Sequence, residues 1–94
     1  MNEIKELLKE EAIKQVIKEV KSNEYLRIAG NLYLTEAFRT ATNKIIFFYP
    51  VVNNEVWNMP VFSIVYKRNQ VEYFDAVETQ GIRKLVKFLR KGGE

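Results

Sequence analysis

Apolar residues in the first stretch of the chain recur every three to four positions. Ile4, Leu7, Leu8, Ala12, Val16, Ile17 and Val20 form the stripe, and Ile13 widens it. This is the helical period, so an amphipathic helix of about 20 residues is predicted, roughly 30 Å long at its standard rise. Its other face alternates Glu and Lys, with Glu10 and Lys14 at a favourable spacing. Ser22 and Asn23 are poor helix interiors and are expected to end it.

From Glu24 to Val77 the texture changes to β-branched and aromatic residues broken by turn formers. Tyr25–Ala29 and Leu32–Arg39 flank Gly30-Asn31, which suits a two-residue hairpin turn of type II′. Lys44–Val52 contains Ile45-Ile46-Phe47-Phe48-Tyr49, a strand apolar on both faces that must be covered on both. Pro50 points to an edge or a bulge at its far end. Asn53–Met59 reads as a loop carrying Val56 and Trp57, and Val61–Arg68 with Val71–Val77 read as a hairpin around Asn69-Gln70. Thr79 is then expected to cap a short helix with the stripe Ile82, Leu85, Val86 and Leu89, ended by Gly92-Gly93.

This order predicts a single α+β domain over residues 1–94. It has an antiparallel sheet of four or five strands, a long N-terminal helix and a short C-terminal helix. The run Ile45–Tyr49 and the N-terminal stripe offer more apolar surface than one short helix covers. A homodimer is therefore expected, joined by a helix face or by the second face of the sheet.

Composition narrows the chemistry more than the fold. Of the 94 residues 47% are hydrophobic, and none is Cys or His. Disulfides, thiol chemistry and zinc–thiolate sites are excluded, and the commonest general base is missing. No apolar run reaches the length of a membrane span, and the charged start of the chain is unlike an export signal, so a cytoplasmic, intracellular location is expected. The acidic residues of the strand region are Glu24, Glu36, Glu55, Glu72, Asp75 and Glu78. Glu72 and Asp75 differ in parity along a strand and would face opposite ways. Neither a carboxylate pair, a metal site nor a phosphate-binding glycine loop emerges, so no catalysis and no cofactor are expected.

The net charge of +3 is unevenly placed. Residues 1–21 balance five Lys against five Glu, whereas 81–94 hold Arg83, Lys84, Lys87, Arg90 and Lys91 against Glu94 alone. Further cations (Arg39, Lys44, Lys67 and Arg68) are interleaved with rings in the strand region. Tyr33, Trp57, Tyr66 and Tyr73 are open to either a core or a surface role. Rings beside a cationic track are what single-stranded nucleic acid needs, because bases offer π-faces and the backbone offers charge. On this reading Tyr33 and Trp57 stack on bases and Arg39, Lys44, Lys67 and Arg68 contact phosphates. Arg83, Lys84, Lys87, Arg90 and Lys91 steer the polyanion.

Two resemblances bear on this. The strand–turn–strand–helix from Val61 resembles Holliday-junction resolvases and related nucleases, which carry a carboxylate two residues before the strand lysine; here Val65 precedes Lys67 at that distance. The segment Phe62–Lys91, with Tyr73-Phe74 running into Gly81-Ile82-Arg83-Lys84-Leu85, resembles the positive cofactor 4 and Whirly group of single-strand-binding proteins. That resemblance implies helices pairing two chains and curved sheets holding single-stranded DNA or RNA. The long N-terminal helix departs from the group. The alternative expectation is a protein-interaction module, a regulator or inhibitor without catalytic activity.

Overall fold

The computed structural model describes residues 3–92. Its elements are α1 Glu3–Leu7, α2 Glu11–Glu19, β1 Tyr25–Ile28, β2 Asn31–Arg39, β3 Asn43–Val52, β4 Glu55–Val56, β5 Phe62–Lys67, β6 Gln70–Phe74 and α3 Ala76–Arg90. The sheet runs β1-β2-β3-β5-β6, antiparallel throughout, with β4 paired to the far end of β3. The α+β class is as expected, but the helix lengths are reversed: the N-terminal helices are short and the C-terminal one is long.

The N-terminal stripe breaks at Leu8–Glu10. Lys9 N–H donates to Glu6 O and Glu10 N–H to Leu7 O, the tightened bonds of a helix end, and Glu10 has extended ψ before α2 begins. The break brings Ile4 and Leu8 from one half, and Ile17 and Val20 from around the other, onto one core with Tyr33, Ile46, Phe48, Phe62 and Ile64. On the opposite face Val86 of α3, with Ile82 beside it, packs on Ile45, Phe47 and Val65. The run Ile45-Ile46-Phe47-Phe48 is thus covered on both faces by this chain's own helices. The central part of the sheet therefore presents core on both faces, and rings available to a ligand have to come from its ends.

Two hairpin turns sit one residue earlier than the sequence pattern places them, and a further hairpin forms inside the expected loop. Ile28 pairs with Asn31, so the first loop is Ala29-Gly30, both at positive φ (51° and 83°), the type I′ signature. Lys67 pairs with Gln70, so the last turn is Arg68-Asn69, with Arg68 at φ 51°. Asn53-Asn54, at φ 52° and 65°, folds the expected loop into the β3–β4 hairpin. Pro50 lies inside β3, beyond the last β5 pairing, and its carbonyl accepts the Trp57 N–H at 2.9 Å. Its missing N–H therefore faces the short β4 flank, where the ladder is already ending.

Helix α3 starts earlier than expected. Asp75, not Thr79, is the N-cap, its carboxylate accepting the Glu78 N–H at 3.0 Å. Thr79 is instead buried under the helix, its hydroxyl 2.9 Å from Ser63 Oγ and 3.2 Å from the Phe74 carbonyl it donates to. At the other end Gly92, at φ 87°, donates its N–H to Leu89 O, the left-handed stop expected of it. Gly93, the second residue of the expected stop, lies outside the described residues.

Candidate nucleic-acid interface

Two loops meet at one end of the sheet. The β2–β3 connection, residues 40–42, is braced by Thr40, whose hydroxyl accepts the N–H groups of Thr42 and Asn43 at 3.3 and 2.9 Å. The Arg68-Asn69 turn lies beside it, and the C-terminal end of α2 brings in Lys18. Between them opens a cleft of about 480 Å³ lined by Lys18, Arg39, Lys44, Tyr66 and Arg68 among polar neighbours, with no carboxylate from the described residues in its wall.

Arg39 and Lys44 are directly opposite each other in the β2–β3 register. Like charges in that relation repel, and their approach is tolerated only with compensation. Part of it is internal. Lys44 is 5% exposed and its Nζ donates to Lys18 O at 2.8 Å, where it meets the carbonyl-rich end of α2. Burial, and then Arg39, lowers its pKa below the usual lysine value, while Glu24 and Glu19 oppose that shift. Lys44 is therefore a buried helix cap that lends charge to the cleft, not the exposed phosphate contact expected of it. Arg39 and Arg68 are exposed and make no ion pair among the described residues.

The other expected site residues divide. Tyr33 is 7% exposed and sits edge-on to Phe48 and Phe62 at 6.1 and 5.1 Å, so it is core and cannot stack on a base. Burial raises its pKa. Trp57 is 52% exposed but lies at the opposite end of β3. Its backbone is bonded to Pro50, ~20 Å along the strand from Lys44. Lys67 pairs with Glu72 at 3.6 Å. Arg83 lies over the Tyr49 ring at 5.8 Å and donates to Asn58 O, and Arg90 lies over Phe38 at 5.3 Å and pairs with Glu36 at 3.2 Å. Both arginines clamp α3 to the sheet instead of standing free. Lys84 and Lys87 on α3, and Lys91 at its C-cap, remain exposed without an ion pair among the described residues.

The single ring–cation surface read from the sequence thus splits into a cationic end and an apolar end. Arg90 reaches Glu36 and Phe38, so the basic end of α3 lies alongside the part of β2 that delivers Arg39. Sequence reasoning leaves Tyr66 open between core and surface and misses Lys18 as a partner in the cleft. Lys18 looks like one more charge on a balanced helix, and no local pattern reports that α2 ends over β3.

Among the described residues no group of three or more His, Cys, Asp or Glu is placed to hold a metal ion. No helix there is long and apolar enough to cross a membrane. No family model, curated protein or solved structure matches the chain.

Proposed function

We propose that this protein binds single-stranded nucleic acid through the cationic end of its sheet, without catalysing a reaction. The observation that carries the reading is the cleft itself: Lys18, Arg39, Lys44 and Arg68 converge on it, and no carboxylate of the described residues lines it. A phosphate seated there relieves the Arg39–Lys44 repulsion, so its binding is worth more than contact with a lone exposed cation. Arg39 and Arg68 contact the backbone, Tyr66 offers a ring in the cleft wall, and Lys84, Lys87 and Lys91 add long-range attraction. A cleft bounded by two hairpin loops admits a flexible strand more readily than a rigid duplex.

The test is fluorescence anisotropy with labelled single-stranded and duplex oligonucleotides at two salt concentrations. Salt-sensitive, single-strand-selective binding is expected. The double variant Arg39→Ala/Arg68→Ala should lower the slope of log affinity against log salt by roughly 0.7 for each phosphate no longer neutralised. No binding at low salt, or binding that the double variant leaves unchanged, overturns the proposal.

A second reading rests on a separate observation. Val56, Trp57 and Met59 are exposed together at the far end of the sheet, and Val77, Leu85, Phe88 and Leu89 are exposed on α3. Such apolar surface fits a protein partner. Trp57→Ala distinguishes the two readings, because it should leave oligonucleotide binding at the opposite end untouched.

A further inference from the structure

Among the described residues the main path of the sheet ends in β1 on one side and β6 on the other, and the two edge strands are defended differently. The hollows beside β6 are lined by Lys5, Lys9, Lys14 and Lys67. Lysines along an edge are a common device against pairing with another chain. Strand β1, Tyr-Leu-Arg-Ile, carries no lysine. Beside it runs an apolar groove of about 180 Å³ between the strand and the N-terminal helices, walled by Leu7, Ile13, Val16, Leu26 and Ile28 among others. Val16 is 53% exposed there, and Tyr25 on the other side of the strand is 61% exposed.

The Ala29-Gly30 turn decides which amides of β1 are free. A two-residue loop closes on a hydrogen-bonded pair, here Ile28 with Asn31, and the ladder alternates from that point. Leu26 with Tyr33 is the next such pair, and Thr35 N–H still reaches Glu24 O at 2.9 Å. The N–H and C=O groups of Tyr25 and Arg27 therefore point outward, away from β2.

We infer that β1 pairs antiparallel with β1 of a second copy of this chain, Leu26 facing the partner's Leu26 across a two-fold axis. In this register the outward amides of Tyr25 meet those of the partner's Arg27, and the reverse, so the outward groups of the strand are all bonded. Each Tyr25 ring then lies against a guanidinium, a cross-strand cation–π pair made twice by symmetry. Moving the axis to Arg27 sets two guanidinium groups face to face. Moving it to Tyr25 carries Arg27 opposite the partner's Asn23, beyond the strand. Self-complementarity thus selects both the edge and the register. On the helix side the two apolar grooves join across the axis and cover Leu26 and Val16.

Sedimentation equilibrium of the full chain should give twice the 11.1 kDa monomer mass at micromolar concentration. Tyr25→Lys, which sets an ammonium against the partner's Arg27, should yield monomer with an unchanged far-UV circular dichroism spectrum and a melt no longer dependent on protein concentration. Tyr25→Glu, which sets a carboxylate there, should retain the dimer. The protein has no cysteine, so Leu26→Cys reports directly. Non-hydrogen-bonded cross-strand positions lie close enough for a disulfide, and mild oxidation should give a covalent dimer where Glu72→Cys on β6 does not. A monomer at all concentrations overturns the inference. So does a dimer that Tyr25→Lys leaves intact, or cross-linking through Glu72→Cys in place of Leu26→Cys.

Discussion

On the α1–α2 face of the sheet, rings interlock. Phe62 stacks on Phe48 at 4.5 Å and on Tyr73 at 5.4 Å, and meets Tyr33 edge-on at 5.1 Å. Two short helices and the break between them lay Ile4, Leu8 and Ile17 over that cluster. On the α3 face the seam is mixed. Val86 and Ile82 pack on Phe47 and Val65, but the helix is also fastened by Thr79 to Ser63, by Arg90 to Glu36, and by Arg83 over Tyr49. Apolar packing is tolerant of register along a helix, whereas a buried hydroxyl pair fixes one position. The difference suggests that the first face supplies most of the stability and the second sets how α3 is seated.

The sharpest way to break the comparison is to remove a ring from the first face. Phe62→Ala removes the side chain common to three ring contacts and should cost ~3–5 kcal/mol. Domains of this size hold roughly 5–15 kcal/mol in all, so urea denaturation should find the variant close to unfolded. A loss under about 1 kcal/mol would mean that the face is loosely packed.

The matching change on the second face is Thr79→Val, which keeps the shape and deletes the hydroxyl. It strands Ser63 Oγ in a fully buried site, and the expected cost is ~1–3 kcal/mol by the same denaturation. Adding Ser63→Ala should recover part of that loss, because the second change removes the unpartnered group. Simple additivity in this double-mutant cycle would show that the two hydroxyls are not coupled.

The first face is the more legible in the sequence. The continuous apolar run of β3 and the helical spacing of Ile4, Leu8, Ile13 and Ile17 announce core positions directly, because burial on both faces removes polar residues and burial on one imposes a period. The second is half visible. Asp75-Ala76-Val77-Glu78 carries a capping signature, an N-cap acid with Glu three residues on, and reading Val71–Val77 as a strand hides it. The cationic cleft is legible only as an inventory. Arg39, Lys44 and Arg68 can be named as cations, but their meeting with Lys18 depends on strand register and on where α2 ends. Both are non-local. Lys44 shows the limit most clearly, since nothing beside it in the chain distinguishes a buried lysine from an exposed one.

Alkaline titration probes the two faces together. Tyr49, on the α3 side, has its pKa pushed up to about 12 by burial, then by its hydrogen bond to Glu36 at 2.7 Å and that carboxylate's charge. Tyr33, under α1 and α2, is raised chiefly by burial. A tyrosine whose folded pKa exceeds its unfolded value of 10 keeps a proton that the unfolded chain has lost. Stability it contributes is complete below pH 10 and is lost as pH rises toward 12, by at most ~1.4 kcal/mol per pH unit for each group. Buried Lys44, with its pKa lowered, works in the opposite sense as pH rises toward 10.5. Denaturant melts between pH 9 and 11.5 should therefore fall less steeply for Tyr49→Phe than for the parent. Parallel curves would mean that the Tyr49 hydroxyl is solvated.

The smallest expected effect tests whether α3 folds with the sheet or merely rests on it. Gly81 lies inside α3 on its exposed side, and a Cβ placed there meets nothing within 4 Å. Its φ is not positive, so alanine fits without strain. Gly81→Ala should stabilise the helix by ~1 kcal/mol, from higher helix propensity and a less flexible unfolded chain. If α3 unfolds in the same cooperative step as the sheet, that gain appears in the global transition as a rise in Tm of about 4–8 °C. If the clamps to Ser63, Glu36 and Tyr49 are too weak to couple them, the melt stays in place. Only the hydrogen-exchange protection of α3 amides then increases. The expected result is the shift of the whole transition, because the Ser63–Thr79 pair is buried on both partners and α3 cannot leave without exposing Phe47 and Val65.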